Sequence, residues 1–229
     1  MPELRLVIFD VDGTLVDSQA DILAAMAAAY AAEGITLPDR AAVLSIVGLS
    51  LPVAMESLSP GLDPARRARM VETYKDAYVA LREKARLHET SPLYPGARAA
   101  LDRLQADPFT LLGVATGKSR RGLDKLIEGH GLEGLFVTTQ VSDHHPSKPH
   151  PAMLLACLSE TGVAADRAVM VGDTRFDMDM ARAAGVRGIG VDWGYHAADT
   201  LTADAMIGDF SELDAAVDGL IGQATEQDA

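Results

Sequence analysis

"LRLVIFDVDGTL" occupies residues 4–15, and its reading decides the fold. "LRLVIF" (4–9) is a short aliphatic run with little polar alternation, the pattern of a parallel strand covered on both faces. It runs into Asp10, Val11, Asp12 and Gly13. In an extended backbone, residues two apart point the same way, so Asp10 and Asp12 would leave the strand end on one side. Gly13 permits a tight turn there and a close backbone approach to a ligand.

Four more runs resemble this strand: "TLLGVAT" (110–116), "LFVTTQV" (135–141), "AVMVGD" (168–173) and "GIGV" (188–191). Helical patterns lie between them, such as "SRRGLDKLIEGHG", with Ser119 placed to cap it, and "HPAMLLACLSETG". The alternation predicts an α/β fold with a mostly parallel sheet, whose ligands collect at the carboxyl ends of the strands. From about Ser18 to Glu89 the alternation stops. "QADILAAMAAAYAAEG", "PVAMESLS" and "DPARRARMVETYKDAYVALREKARLH" all read as helix, so residues 18–89 form a helical insertion. "SPLYPGA" marks its exit, leaving residues 1–17 and 90–229 as the core. The closing "GQATEQDA" is polar and expected to fray.

The bulk composition narrows the partners. With 48% hydrophobic and 23% charged residues, the 229-residue chain is ordinary globular protein. A net charge of -13 argues against nucleic acid or an anionic membrane, so an anionic ligand must be met by a local cation. The single cysteine, Cys157, rules out a disulfide framework or thiolate zinc cluster and reads as a small buried thiol on a helix face. No apolar run has the length of a membrane helix, and the N-terminus does not read as a signal peptide. These features fit a soluble protein of the reducing cytoplasm, as monomer or homodimer.

The chemistry concentrates at the predicted strand ends. Asp173 closes "AVMVGD", and Asp177 follows one helical turn later on the same face. Asp10, Asp12, Asp173 and Asp177 are therefore expected to converge on one end of the sheet. Like charges this close are costly unless one is protonated or a cation sits among them, and a hard ion held by carboxylates, water and a phosphate describes magnesium. "VATGKS" ends the second strand, where the Thr116 hydroxyl and the amides of Gly117 and Lys118 offer phosphate ligands. "DHHPSKPHP" (143–151) sets His144, His145 and His150 around Lys148. Either the histidines bind a transition metal or the lysine carries the chemistry.

In this order and spacing, "DVDGTL", "ATG", "SKP" and "GDTRFD" resemble the four motifs of the haloacid dehalogenase-like hydrolase superfamily, most nearly its phosphoglycolate phosphatase-like branch. The resemblance spans nearly the whole chain. It implies a Rossmann-like three-layer core with an inserted α-helical cap, and a magnesium-dependent phosphatase acting on a small phosphorylated metabolite, foremost 2-phosphoglycolate. Asp10 would be the nucleophile, forming an aspartyl-phosphate, and Asp12 the general acid and base. The Asp12 main-chain carbonyl, Asp10 and Asp173 would hold the metal, with Asp177 supporting it directly or through water. Thr116 and Gly117 would bind the phosphate. Lys148 would pair with Asp10 and the phosphoryl oxygens, with Pro149 beginning the next helix and the histidines flanking the loop.

True dehalogenases lack an acid at the Asp12 position, so the resemblance points to phosphoryl transfer. In "SIVGLSL" (45–51), Gly48 and Leu49 match a cap loop that reaches over the substrate. That loop carries no charge, so a substrate carboxylate would need a cation such as Lys118 or Arg120. Gly194 and Tyr195 in "DWGYH" resemble a loop near the site in such relatives, although aromatic packing is the plainer reading. Arg66, Arg67 and Arg69 read as a solvated helix face, and Asp179 should point away from Asp177. A β-phosphoglucomutase-like phosphomutase, a pyrophosphatase and a non-catalytic binding module are the alternatives. The complete motif set argues against the last.

Overall fold

The apolar run of the first motif forms β1 (Arg5–Phe9), buried at every position. The structure is a computed structural model that describes residues 3–84 and 91–222. After β1 come α1 (Gln19–Ala32), α2 (Arg40–Leu44), α3 (Leu51–Leu58) and α4 (Pro64–Lys84). Then follow α5 (Ala97–Ala106), β2 (Thr110–Thr116), α6 (Arg120–His130), β3 (Thr138–Val141) and α7 (Ala152–Thr161). The chain closes with β4 (Ala168–Gly172), α8 (Arg175–Ala184), β5 (Arg187–Val191), β6 (Ala205–Ile207) and α9 (Leu213–Ile221).

The six strands pair in parallel in the order β3-β2-β1-β4-β5-β6. The chain builds outward from β1 through β2 and β3, then crosses back to start again at β4. The crevice between β1 and β4 is thus the topological switch point, where ligands bind in open α/β sheets. The strands' period of two sorts their side chains between faces. Val7 and Phe9 join the core beneath α5, α6 and α9, while Leu6 and Ile8 join the core beneath α7 and α8. Cys157 is fully buried in the second of these, where loss of water pushes its thiol up to about 12. This is the α/β, parallel-sheet, three-layer architecture the sequence predicts. Among the described residues, no helix is long and apolar enough to cross a membrane.

Helices α1–α4 have a hydrophobic cluster of their own, built around Met26, Tyr30, Met55 and Met70. Arg66 and Arg69 of α4 both donate to Glu33 just past α1. These arginines are therefore an inter-helix tie as well as a solvated face. The outgoing and returning chain run side by side: Tyr94 N donates to Leu15 O and Asp17 N to Pro92 O. Ser91 also donates to the buried Asp21 at the start of α1, 2.8 Å away. The expected exit boundary at residues 89 and 90, the end of the α4 pattern and nearly all of the polar tail lie outside the described residues.

Three local readings need correction. The β3 pattern was expected from Leu135, but the strand begins at Thr138. Leu132 and Leu135 instead form a turn whose apolar side chains plug the first core. Strand β6 escapes a pattern reading because three residues are too few to display a period. Pro149 does not begin α7, which starts at Ala152, so Pro149 lies in the preceding turn. A core substitution tests the packing. Leu101→Ala on α5, at 0% exposure, should cost about 2–5 kcal/mol. Urea denaturation would read this as a lower midpoint with an unchanged slope.

Candidate active site

Three carboxylates meet at the switch point. Asp10, just past β1, Asp173, just past β4, and Asp177, in the first turn of α8, bring oxygens within 4.8 Å of one another, all buried. Each is fixed from a different direction. Asp173 accepts from Thr14 Oγ1 at 3.0 Å and from the Tyr195 amide at 2.8 Å. Asp177 completes a capping box with Thr174, accepting from its amide and its hydroxyl. Lys148 Nζ, also fully buried, lies 2.9 Å from Asp10 Oδ1 and donates to Asp177 Oδ1 at 2.6 Å. Gly13 turns the chain after β1 at φ +85°, and a Cβ there would stand 2.2 Å from Asp173 Oδ2. Only glycine lets the first loop pass so close.

The electrostatics follow from burial. Removal from water raises the Asp10 carboxyl to about 7, more than the facing Lys148 lowers it. Burial and the neighbouring Asp177 and Asp10 also hold Asp173 well above the usual carboxylate range. Lys148 is pushed up because its two carboxylates outweigh its own burial. Asp10 Oδ2 has no hydrogen-bond partner among the described residues. A buried carboxylate oxygen without a donor, beside a second buried carboxylate, is the donor set a hard divalent cation takes. The cluster fits magnesium through the unpartnered Asp10 Oδ2, beside Asp173 and Asp177, whose oxygens already accept from Thr14 and Tyr195 and from Lys148 and Thr174.

Asp12 stands apart from this cluster. The sequence led us to expect four converging carboxylates, but the Asp12 side chain turns to a second cation. Lys118 Nζ lies 2.7 Å from Asp12 Oδ1, and Ser18 Oγ donates to the same oxygen. Lys118 also donates to Tyr78 Oη of α4 at 3.0 Å. The Ser18 amide donates to Tyr195 Oη at 2.9 Å. Arg120, the other cation considered for a substrate carboxylate, points to Thr139 on β3 instead.

Thr116 ends β2, buried, and its hydroxyl accepts from the Lys118 amide at 3.3 Å. Gly117 meets the cap loop directly: a Cβ there would lie 2.7 Å from Gly48 O and 2.8 Å from Leu49 O. The Ser50 amide donates to Ser147 Oγ at 2.8 Å, tying the same loop to the residue before Lys148. A cavity of about 650 Å³ lies between cap and core, lined by Asp10, Asp12, Thr116, Lys118, Gly48 and Leu49 among others. A second cavity, about 530 Å³, opens near Arg182 and Arg187, away from the carboxylates.

All ten of the expected site residues thus border this cavity or the buried cluster beneath it. The histidines do not form a metal site among the described residues: His145 bonds Gln140, and His150 accepts from the Ala152 amide. Asp179 pairs with Arg182 on the surface. Sequence reasoning missed Thr14, Ser18 and Tyr78. Thr14 and Ser18 lie within or just past the first motif, which was a usable signal. Tyr78 lies in a helix whose pattern says nothing of what it faces.

The family model described as haloacid dehalogenase-like hydrolase matches residues 7–191. "Probable phosphatase IndB" of Dickeya dadantii is 35% identical over 222 residues, covering 94% of each chain. A phosphoglycolate phosphatase of Mesorhizobium japonicum is 32% identical and covers 83% of each. A crystal structure of a hydrolase from Pseudomonas syringae superposes with a TM-score of 0.82 at 25% identity, over 94% of this chain and 99% of that one. The chain belongs to the haloacid dehalogenase-like hydrolase family, as its four motifs indicate.

The raised carboxyls give stability a sign with pH. Between pH 3.8 and about 7 the folded protein holds a proton on Asp10 that the unfolded chain releases, so this group lowers stability as pH rises through that window. A divalent cation binding the ionised pair opposes the loss. The melting-temperature gap between magnesium and EDTA samples should therefore widen from pH 4 to pH 7 in differential scanning fluorimetry. A gap of zero throughout would remove the cluster as a metal site.

Proposed function

We propose that this phosphatase of the haloacid dehalogenase-like hydrolase family cleaves a small phosphorylated metabolite, 2-phosphoglycolate first among them, through an aspartyl-phosphate. The observation that carries the reading is Asp10: a buried carboxylate with one unpartnered oxygen, at the switch point, facing an equally buried lysine. The names of the phosphoglycolate phosphatase relatives support the choice of substrate.

In the first step an oxygen of Asp10 attacks phosphorus while the bond from phosphorus to the leaving oxygen breaks. Asp12 gives that oxygen its proton. In the second step Asp12 takes a proton from water, the water oxygen bonds to phosphorus, and the bond to Asp10 breaks, releasing phosphate. Lys148 neutralises charge on the phosphoryl oxygens, and Thr116 with the Gly117 amide orients them. Ser18 and Lys118 hold Asp12 at the cavity edge between the two steps. Magnesium, held by Asp10, Asp173 and the Asp12 carbonyl, would supply further neutralisation of phosphoryl charge. The helical segment 18–89 acts as the cap over this chemistry, with Gly48 and Leu49 as its contact to the phosphate end. We place the enzyme in the cytoplasm, consistent with one buried free cysteine.

Phosphate release should be measured from 2-phosphoglycolate, other small monoesters and pyrophosphate, in magnesium and in EDTA. Release from 2-phosphoglycolate in magnesium only, absent in Asp10→Asn and reduced about 10²–10⁴-fold in Asp12→Asn, is the expected result. Full turnover by Asp10→Asn would overturn the mechanism. Conversion of glucose 1-phosphate to its isomer without free phosphate would transfer the protein to the mutases.

A further inference from the structure

The cap side of the active-site cavity does not suit a two-carbon acid alone. Its volume, about 650 Å³, is measured with the cap already seated, the Gly48–Leu49 loop lying against Gly117 and Ser50 bonded to Ser147. That places it within the ~300–1,000 Å³ of pockets that enclose far larger ligands. The phosphoryl end, at Asp10 and Thr116, uses only the floor. The cap side carries apolar surface: Ile22, Met26 and Val47 contribute to it, with Tyr74 and Tyr78 of α4, a helix that also brings Glu72, Lys75 and Asp76 to the lining.

These two tyrosines stand one turn apart on α4, rings stacked with centroids 5.9 Å apart and planes within 15°. Both are half-buried and line the cavity. Tyr78 is fixed from the core side, since Lys118 donates to its hydroxyl and stands 5.2 Å from its ring centroid. Lys118 is itself paired with Asp12, which leaves it a poor partner for a second substrate anion. Of the other charges lining the cavity, Lys75, Arg121 and Lys125 are matched in number by Glu72, Asp76 and Asp143.

We infer that the enzyme also takes phosphomonoesters whose leaving group carries a planar apolar ring, seated against the Tyr74–Tyr78 wall. This rests on the phosphatase reading above and extends its substrate class. A ring there would be removed from water against aliphatic and aromatic surface. A short polar leaving group would leave the wall unused.

The test compares alcohol leaving groups of similar reactivity: kcat/KM for 2-phenylethyl phosphate against ethyl phosphate, in magnesium. Wild type should prefer the ring-bearing ester by about tenfold or more. Tyr74→Leu and Tyr78→Leu should each lower that ratio several-fold. Tyr78→Phe, which keeps the ring and loses only the bond to Lys118, should retain it. Turnover of both esters at equal kcat/KM, or a ratio untouched by either leucine, would overturn the inference while the phosphatase reading stood. No release from any ester, 2-phosphoglycolate included, would overturn both. Circular dichroism of each variant separates a lost preference from a lost fold.

Discussion

Three carboxylates and one ammonium buried within a few ångströms form the constraint on which this structure turns. Charges of this kind are tolerated in an interior only when each is held by a specific partner, because the cost of desolvation otherwise exceeds the attraction between them. The protein meets that demand by drawing each partner from a different part of the chain. Thr14 comes from the first loop, Thr174 from the α8 cap, the Tyr195 amide from the loop after β5, and Lys148 from the turn before α7. The parallel sheet brings these segments together, because its strands all deliver their carboxyl ends to one edge. Fold and site are therefore one solution to one electrostatic problem.

Much of this was legible in the sequence. The strands betray themselves because burial on both faces demands continuous aliphatic runs, and the helix between β2 and β3 carries its own cap and closing glycine at Ser119 and Gly131. The gathering of the candidate residues at one end of the sheet was legible because motifs at strand ends are short and local. The reading failed where an element's cause is not local. Strand β6 exists because β5 offers it an edge, and Leu135 and Phe136 before β3 are apolar to fill a core rather than to extend a strand.

Asp12 shows the same limit within the site. Alternation along a strand assigns its side chain to the same side as Asp10, and that holds only while the backbone stays extended. The chain turns at Gly13, and Ser18, just past the motif, together with Lys118, distant in sequence, claims the carboxylate. Tyr78 was invisible for a related reason. A tyrosine in a helical pattern can face core, solvent or cavity, and only the packing of α4 against α1 chooses among them.

The meeting of Gly117 with Gly48 and Leu49 has a wider implication. The carbonyls of the cap loop rest on a residue without a side chain, so this contact is made by main-chain atoms on both sides. A contact of that kind is insensitive to the side chains of the surrounding cap residues, provided Gly117 and Gly48, at φ +97°, both stay bare. Cap side chains can therefore diversify freely while the lid continues to seat in register.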